Sequence, residues 1–281
     1  MLDWLLEPLG YQFMRNALAV GLLVGVLCPI VGSYLIVQRM ALLGDVIAHA
    51  VLPGLAIANF LRFNILLGSF VSGIFSTVLI AWIRTQTRVK VDAAMALTFS
   101  SFFSLGVLLL RVLGSRLDLM AILFGDILSV SRADVGRSLW VTLLLLLLVK
   151  LFYKELLFYT FDPAAAEAAG LPVHTIYYGM MAAITMTIIV GMQTVGVVLV
   201  IALLVGPATT AYLLVKQLHR MMLLGALLGV ISSLGGMYIS YYLDVPSGPA
   251  IALTSFAFFM LALLFSPRQG ILTRRRPLRK P

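Results

Sequence analysis

Stretches without Asp, Glu, Lys or Arg recur along this 281-residue chain, at 16–38, 63–83, 93–110, 221–243 and 245–267. Each comes close to or exceeds the roughly 20 residues that carry a helix across the hydrocarbon of a bilayer. The run 168–215 is about twice that length and divides at Gly191–Gly196, which predicts spans over 175–192 and 194–215. Two further candidates contain charges. One, 45–62, includes Asp45 and His49; the other, 136–158, holds the leucine run 143–148 and ends with Lys150 and Lys154, whose stems can reach an interface. The pattern predicts nine spans, or eight if 191–196 is not a turn, in an all-α polytopic membrane protein. Small residues at four-spacing, Gly21 with Gly25 and Gly225 with Gly229, would let helices approach closely.

Composition agrees. With 62% hydrophobic and 11% charged residues and a mean hydropathy of +1.07, too little polar surface exists for a soluble globular domain. A net charge of +9 in a soluble chain would suggest nucleic acid, but these basic residues mostly sit between apolar runs, where they set topology. Placing Arg39, the Arg84/Arg88/Lys90 loop, Lys150, Lys154, Lys216, Arg220 and the tail in the cytoplasm leaves only Arg15, Arg62, Arg111, Arg116, Arg132 and Arg137 outside. That excess puts the amino terminus outside and the carboxyl terminus inside, which requires an odd number of spans and favours nine. No cleaved signal is expected, because Asp3 and Glu7 stand where a basic region belongs. Residues 1–267 are expected to form one transmembrane domain, with 1–14 at the interface, and 268–281 a basic cytoplasmic tail that anchors topology rather than binding nucleic acid. Cys28 alone can form neither an intrachain disulfide nor a metal cluster.

Charges inside spans are costly and therefore informative. In GDVIAHAVLPG, Gly44 to Gly54, Asp45 and His49 are four residues apart and share one helix face. A carboxylate oxygen and an imidazole nitrogen so presented can grip a divalent cation such as Mn²⁺, Zn²⁺ or Fe²⁺, although two ligands make only part of a site. Pro53 has no N–H to give the carbonyl of residue 49, which frees that oxygen. The alternative is an Asp45 N-cap followed by a hydrogen-bonded interhelical His49. Asp92 reads as an N-cap. Thr98, Ser100, Ser101 and Ser104 could line a path or bond across helices, and His174 and His219 read as solvated loop residues. In GPATTA, Gly206 to Ala211, Pro207 frees the Leu203 carbonyl and Thr209 and Thr210 can satisfy displaced backbone groups, so this segment is a hinge, a pathway element or a plain kink.

FDPAAAEAAGLP, Phe161 to Pro172, has complete helix punctuation: Asp162 suits the N-cap, Pro163 the first turn, Gly170 the position after the last turn, and Pro172 blocks continuation. About seven residues should be helical, too few to be stable alone, so docking against something is expected. The alanines give it a smooth face and Glu167 a single charge.

Together, QRMALLGDVIAHAVLPG (Gln38 to Gly54), LFGDIL (Leu123 to Leu128), FDPAAAEAAGLP and VGVVLVIALLVGPATTA (Val195 to Ala211) resemble the integral-membrane permeases of ATP-binding-cassette importers for manganese, zinc or iron. The resemblance covers most of the chain. It implies that Asp45 and His49 lie on the metal path. It also implies that Asp162, Pro163, Glu167, Ala168 and Gly170 belong to a coupling helix contacting the nucleotide-binding subunit. Its further implications are a homodimer of the permease, two ATPase subunits, an extracytoplasmic metal-binding protein, and residence in a prokaryotic plasma membrane (the inner membrane if Gram-negative). No cofactor would be permanently bound, and Mn²⁺, Zn²⁺ or Fe²⁺ would be transported, with manganese the first expectation and zinc the second. The sequence contains no GxxxxGK[ST] phosphate loop, so any ATP chemistry belongs to a partner and the chain is read as a transport subunit rather than an enzyme. A gradient-driven secondary metal transporter would use the same Asp/His pair but needs no docking helix. An intramembrane enzyme would require more nucleophile or ligand residues within the spans than this sequence has.

Overall fold

The computed structural model describes residues 7–114, 123–125 and 127–266. The expected tail 268–281, residues 1–6, Arg116 and Asp126 lie outside the described residues. The elements are α1 (Gln12–Val37), α2 (Leu42–Ala50), α3 (Leu52–Phe60), α4 (Ile65–Gln86), α5 (Val91–Val112), α6 (Arg132–Leu151), α7 (Tyr153–Phe161), α8 (Pro163–Ala168), α9 (Val173–Val195), α10 (Val197–Leu214), α11 (Leu218–Leu243) and α12 (Ser247–Phe265), with short 3₁₀ turns at Pro8–Gly10 and Ile127–Ser129. The described residues include no strand. Helix α1 takes in residues 12–14, which the sequence suggested as part of an interfacial segment.

Eight helical stretches among the described residues are long and apolar enough to cross a membrane: α1, α2 and α3 taken together, most of α4, and α5, α9, α10, α11 and α12. Helix α6 has comparable length but carries Arg132, Asp134 and Arg137 near its start and Lys150 near its end, which keeps it out of that group. It begins four residues earlier than the 136–158 expectation because Ser131 and Asp134 form a capping box: the Ser131 hydroxyl accepts the Asp134 N–H at 3.3 Å and Asp134 Oδ2 accepts the Ser131 N–H at 3.1 Å. It ends at Leu151, and α7 starts afresh after Phe152, so the expected single span is two helices with an elbow between them. Leu143, Leu144 and Leu147 are exposed.

The long run 168–215 does divide. Gly196 takes φ +84°, which favours glycine, and joins α9 to α10. A Cβ on Gly191 would meet the side chain of Val200, so the two helices fold back on each other as a hairpin. Apolar surfaces gain little from one another in lipid, and close backbone packing matters correspondingly more. Gly25 on α1 and Gly229 on α11 meet backbone to backbone, with a Cβ on Gly25 falling 2.9 Å from the Gly229 carbonyl. Helices α1 and α10 form the centre, where Gly32 abuts the Leu204 backbone and Leu35, Val200 and Leu204 are fully buried. Helix α2 packs beside them: a Cβ on Gly44 would lie 2.6 Å from the Leu204 side chain.

Candidate functional site

The turn before α2 fixes where the charged pair sits. Arg39 adopts a left-handed conformation at φ +59°, and the Met40 N–H donates to the Leu35 carbonyl at 2.8 Å, which closes α1 and starts α2 after a short turn. Ala41 is the N-cap of α2, with no side-chain cap bond. Asp45 is therefore the fourth residue of α2, in its first turn rather than at its cap, so the capping alternative raised by the sequence does not describe it.

Asp45 and His49 meet as their spacing requires. His49 Nδ1 lies 3.0 Å from the Asp45 backbone oxygen and 3.4 Å from Asp45 Oδ1. A carbonyl can only accept, so Nδ1 carries the hydrogen in this contact, and in the neutral ring the lone pair belongs to Nε2. The His49 side chain is 15% exposed and that of Asp45 43% exposed, which leaves the carboxylate open at the surface of the chain while the ring is largely enclosed. Phe99 and Phe103 of α5 enclose it, with centroids 4.9 Å and 5.4 Å from the imidazole and both rings edge-on to it. The sequence reading missed this aromatic wall, although a Phe pair at i,i+4 on a polar-flecked helix was the available signal.

Below the pair the helix is interrupted between Ala50 and Leu52, and Pro53 is the second residue of α3. The sequence assigned the freed oxygen to residue 49. The external donor in the structure serves the next carbonyl instead: Ser72 Oγ on α4 donates to the Ala50 oxygen at 2.6 Å. Gly106 of α5 presses against Leu52 and Pro53, and Gly54 of α3 against the Gly68 backbone of α4, so the interruption is held on two sides. No chain-wide cation cage accompanies the pair: no group of three or more His, Cys, Asp or Glu that could hold a metal occurs among the described residues. One carboxylate and one imidazole can bind a divalent cation only if water or another chain completes its coordination.

The other candidates fall in different places. Thr98 Oγ1 is buried with no hydrogen-bond partner, whereas Ser100, Ser101 and Ser104 are exposed. Asp92 is the second residue of α5, whose N-cap is Lys90, so it is a first-turn carboxylate rather than the cap. His174 and His219 are exposed, but in the first turns of α9 and α11 rather than in loops. Pro207 is buried inside an unbroken α10, the Thr210 hydroxyl donates to the Gly206 carbonyl at 2.8 Å, and Thr209 Oγ1 is buried without a partner. The Thr209 hydroxyl thus does not serve a displaced backbone group.

Helix α8 forms over six residues where about seven were expected. Asp162 Oδ1 accepts the Ala165 N–H at 2.9 Å. At the other end the Gly170 N–H donates to Glu167 and the Leu171 N–H to Ala166, a Schellman closure around Gly170 at φ +83°. Ala166 is buried; Pro163, Glu167, Ala168 and Gly170 are exposed, and nothing lies within 4 Å of a Cβ placed on Gly170. Asp162, Pro163, Glu167, Ala168 and Gly170 thus lie together on an exposed helix and its caps, apart in sequence from the Asp45/His49 pair.

Comparison with known proteins places this geometry among relatives. The model of the ABC 3 transport family matches residues 10–266. The manganese transport system membrane protein MntC of Halalkalibacterium halodurans is 42% identical over 269 residues, covering 95% of this chain and 92% of the relative. A probable iron transport system membrane protein of Haemophilus influenzae is 37% identical over 266 residues, with 95% and 98% covered. The solved structure of PsaBC from Streptococcus pneumoniae in complex with Fab superposes at a TM-score of 0.87 and 36% identity, covering 95% of this chain and 97% of that one.

Proposed function

The chain belongs to the ABC 3 transport family, and from that membership we propose that it is the permease subunit of an ATP-binding-cassette importer for a divalent transition metal, manganese first. Relatives named for manganese and for iron transport support the metal class, and the first of these is the more similar. The observation that carries the reading is the Asp45/His49 pair, an open carboxylate beside an enclosed imidazole with Nδ1 engaged and Nε2 left for a ligand.

In this reading two copies of the permease face each other, and each contributes its pair to the passage. A carboxylate exposed to 43% on the isolated chain, with too few donors to complete a coordination shell, fits a site finished by water or a second copy. An extracytoplasmic binding protein delivers the ion. Two ATPase subunits grip the exposed faces of α8, and their ATP-driven closure moves α7 and α8 and alternates access to the pair. Pro53 and Pro207, with Thr209 and Thr210, are the points at which α3 and α10 can yield. The chain catalyses no bond change of its own. The carboxyl terminus lies in the cytoplasm and the protein in the plasma membrane of a bacterium.

The test is manganese uptake by proteoliposomes that contain the permease with its copurifying ATPase. Uptake is expected to require ATP and to persist when ion gradients are dissipated. Gradient-driven uptake without ATP would replace this reading by a secondary transporter.

A further inference from the structure

The residues where α1, the α6–α7 elbow and α9 meet line a cavity that does not include Asp45 or His49. The cavity, of about 350 Å³, has an almost wholly apolar wall that includes Val31, Leu156 and Ile184, yet it contains Tyr34 and Glu155. Tyr34 is 2% exposed and its hydroxyl has no hydrogen-bond partner; Glu155 Oε2 is shielded from solvent and has none either. An unserved hydroxyl and an unserved carboxylate oxygen in an apolar wall are costly unless a polar partner enters. The mouth is marked by Leu148 and Phe152, which are 38% and 53% exposed and continue the exposed leucine face of α6, so the cavity opens on an apolar surface of the chain. Exposed Lys154 directly precedes Glu155, and exposed Lys150 lies one helical turn further back.

We propose that this cavity binds a membrane phospholipid with a primary-ammonium headgroup. The ammonium donates to the Glu155 carboxylate and the Tyr34 oxygen, Lys154 or Lys150 meets the phosphate, and the first chain carbons lie along the apolar wall. An ammonium offers three N–H donors to the carboxylate, and the Tyr34 hydroxyl, both donor and acceptor, can pair with the same headgroup. A divalent metal would need several more oxygen or nitrogen ligands than this wall offers. A headgroup without the amine leaves the carboxylate unpaired beside a phosphate. Because α7 runs directly into α8, a lipid seated here braces the segment that carries the exposed helix. The inference does not depend on which ion the chain carries.

Native mass spectrometry of the full-length permease, with any copurifying subunits, tests it by titration with dioleoyl-phosphatidylethanolamine and dioleoyl-phosphatidylglycerol. The wild type is expected to hold the ethanolamine lipid about fivefold more tightly, and Glu155→Gln to erase that preference. Gly179→Leu is the second variant: Gly179 lines the cavity, and an added Cβ meets nothing within 4 Å, so the larger side chain is expected to leave the melting temperature unchanged and to weaken lipid binding; undiminished binding would overturn the proposal. Equal binding of the two lipids by the wild type would overturn the proposal, as would undiminished ethanolamine-lipid binding in Glu155→Gln. Displacement of the lipid by an equal concentration of soluble glycerophosphoethanolamine would overturn the membrane as the source.

Discussion

The imidazole of His49 donates through Nδ1 to the backbone oxygen of Asp45, its own helix one turn earlier, at 3.0 Å. This bond selects the tautomer and turns Nε2 into the only ring atom with a free lone pair, while Phe99 and Phe103 restrict the ring from the side. Replacing both phenylalanines by alanine removes that restriction without touching a donor atom. The double variant is expected to raise the metal concentration needed for half-maximal uptake by about tenfold, the lower end of what lost second-sphere support does to metal affinity, with abundance in the membrane unchanged. Uptake assays over a manganese series read this directly.

Ser72 supports the same site from below. Its hydroxyl serves the Ala50 carbonyl at the interruption between α2 and α3. Ser72→Ala leaves that oxygen without its side-chain donor, at a cost of about 1–3 kcal/mol. A lowered melting temperature in detergent is the expected outcome, with Ser72→Thr retaining most of the stability. Equal melting of Ser72→Ala and wild type would show that the bond is dispensable.

The crossing of α1 and α11 leaves no room for a side chain. Gly25→Leu would drive its Cβ against the Gly229 carbonyl and the Ser233 hydroxyl. Overpacking of this kind costs about 1–3 kcal/mol or more when backbone must separate, so folded protein should fall sharply in fluorescence-detected size exclusion. Gly136→Ala, where a Cβ meets nothing within 4 Å, is the matched control and should behave as wild type.

At the exposed end, Gly170 closes α8 from the left-handed region. Gly170→Asp strains that turn by about 1–2 kcal/mol and adds a charge to the surface proposed to meet the ATPase. Asp162→Ala removes the cap at the other end for about 1 kcal/mol without changing that face. Copurification of the ATPase is expected to be lost in Gly170→Asp and reduced in Asp162→Ala, while both permeases remain folded. Full retention in Gly170→Asp would remove α8 as the docking element.

Much of the fold was legible because lipid imposes a simple rule: long charge-free runs must be helices. A division within Gly191–Gly196, which the structure puts at Gly196, and the ends of α8 at Asp162 and Gly170 followed from residue chemistry that acts within a few positions. What failed depended on tertiary placement. Asp92 looked like a cap until Lys90 took that position, the break after Leu151 had no Pro or Gly to announce it, and the buried Thr209 hydroxyl has no hydrogen-bond partner. The pair itself was visible as two ionisable groups one turn apart. The Ser72 donor was not, and the Phe99/Phe103 wall showed only as an i,i+4 pair on α5, since each joins α2 or its end to another helix.

The most direct test of the account is ATP-dependent ⁵⁴Mn uptake by proteoliposomes containing wild type, Asp45→Asn or His49→Ala permease at equal ATPase content. The account predicts that each substitution lowers uptake by at least about tenfold while the complex stays assembled. Wild-type uptake by either variant would contradict it.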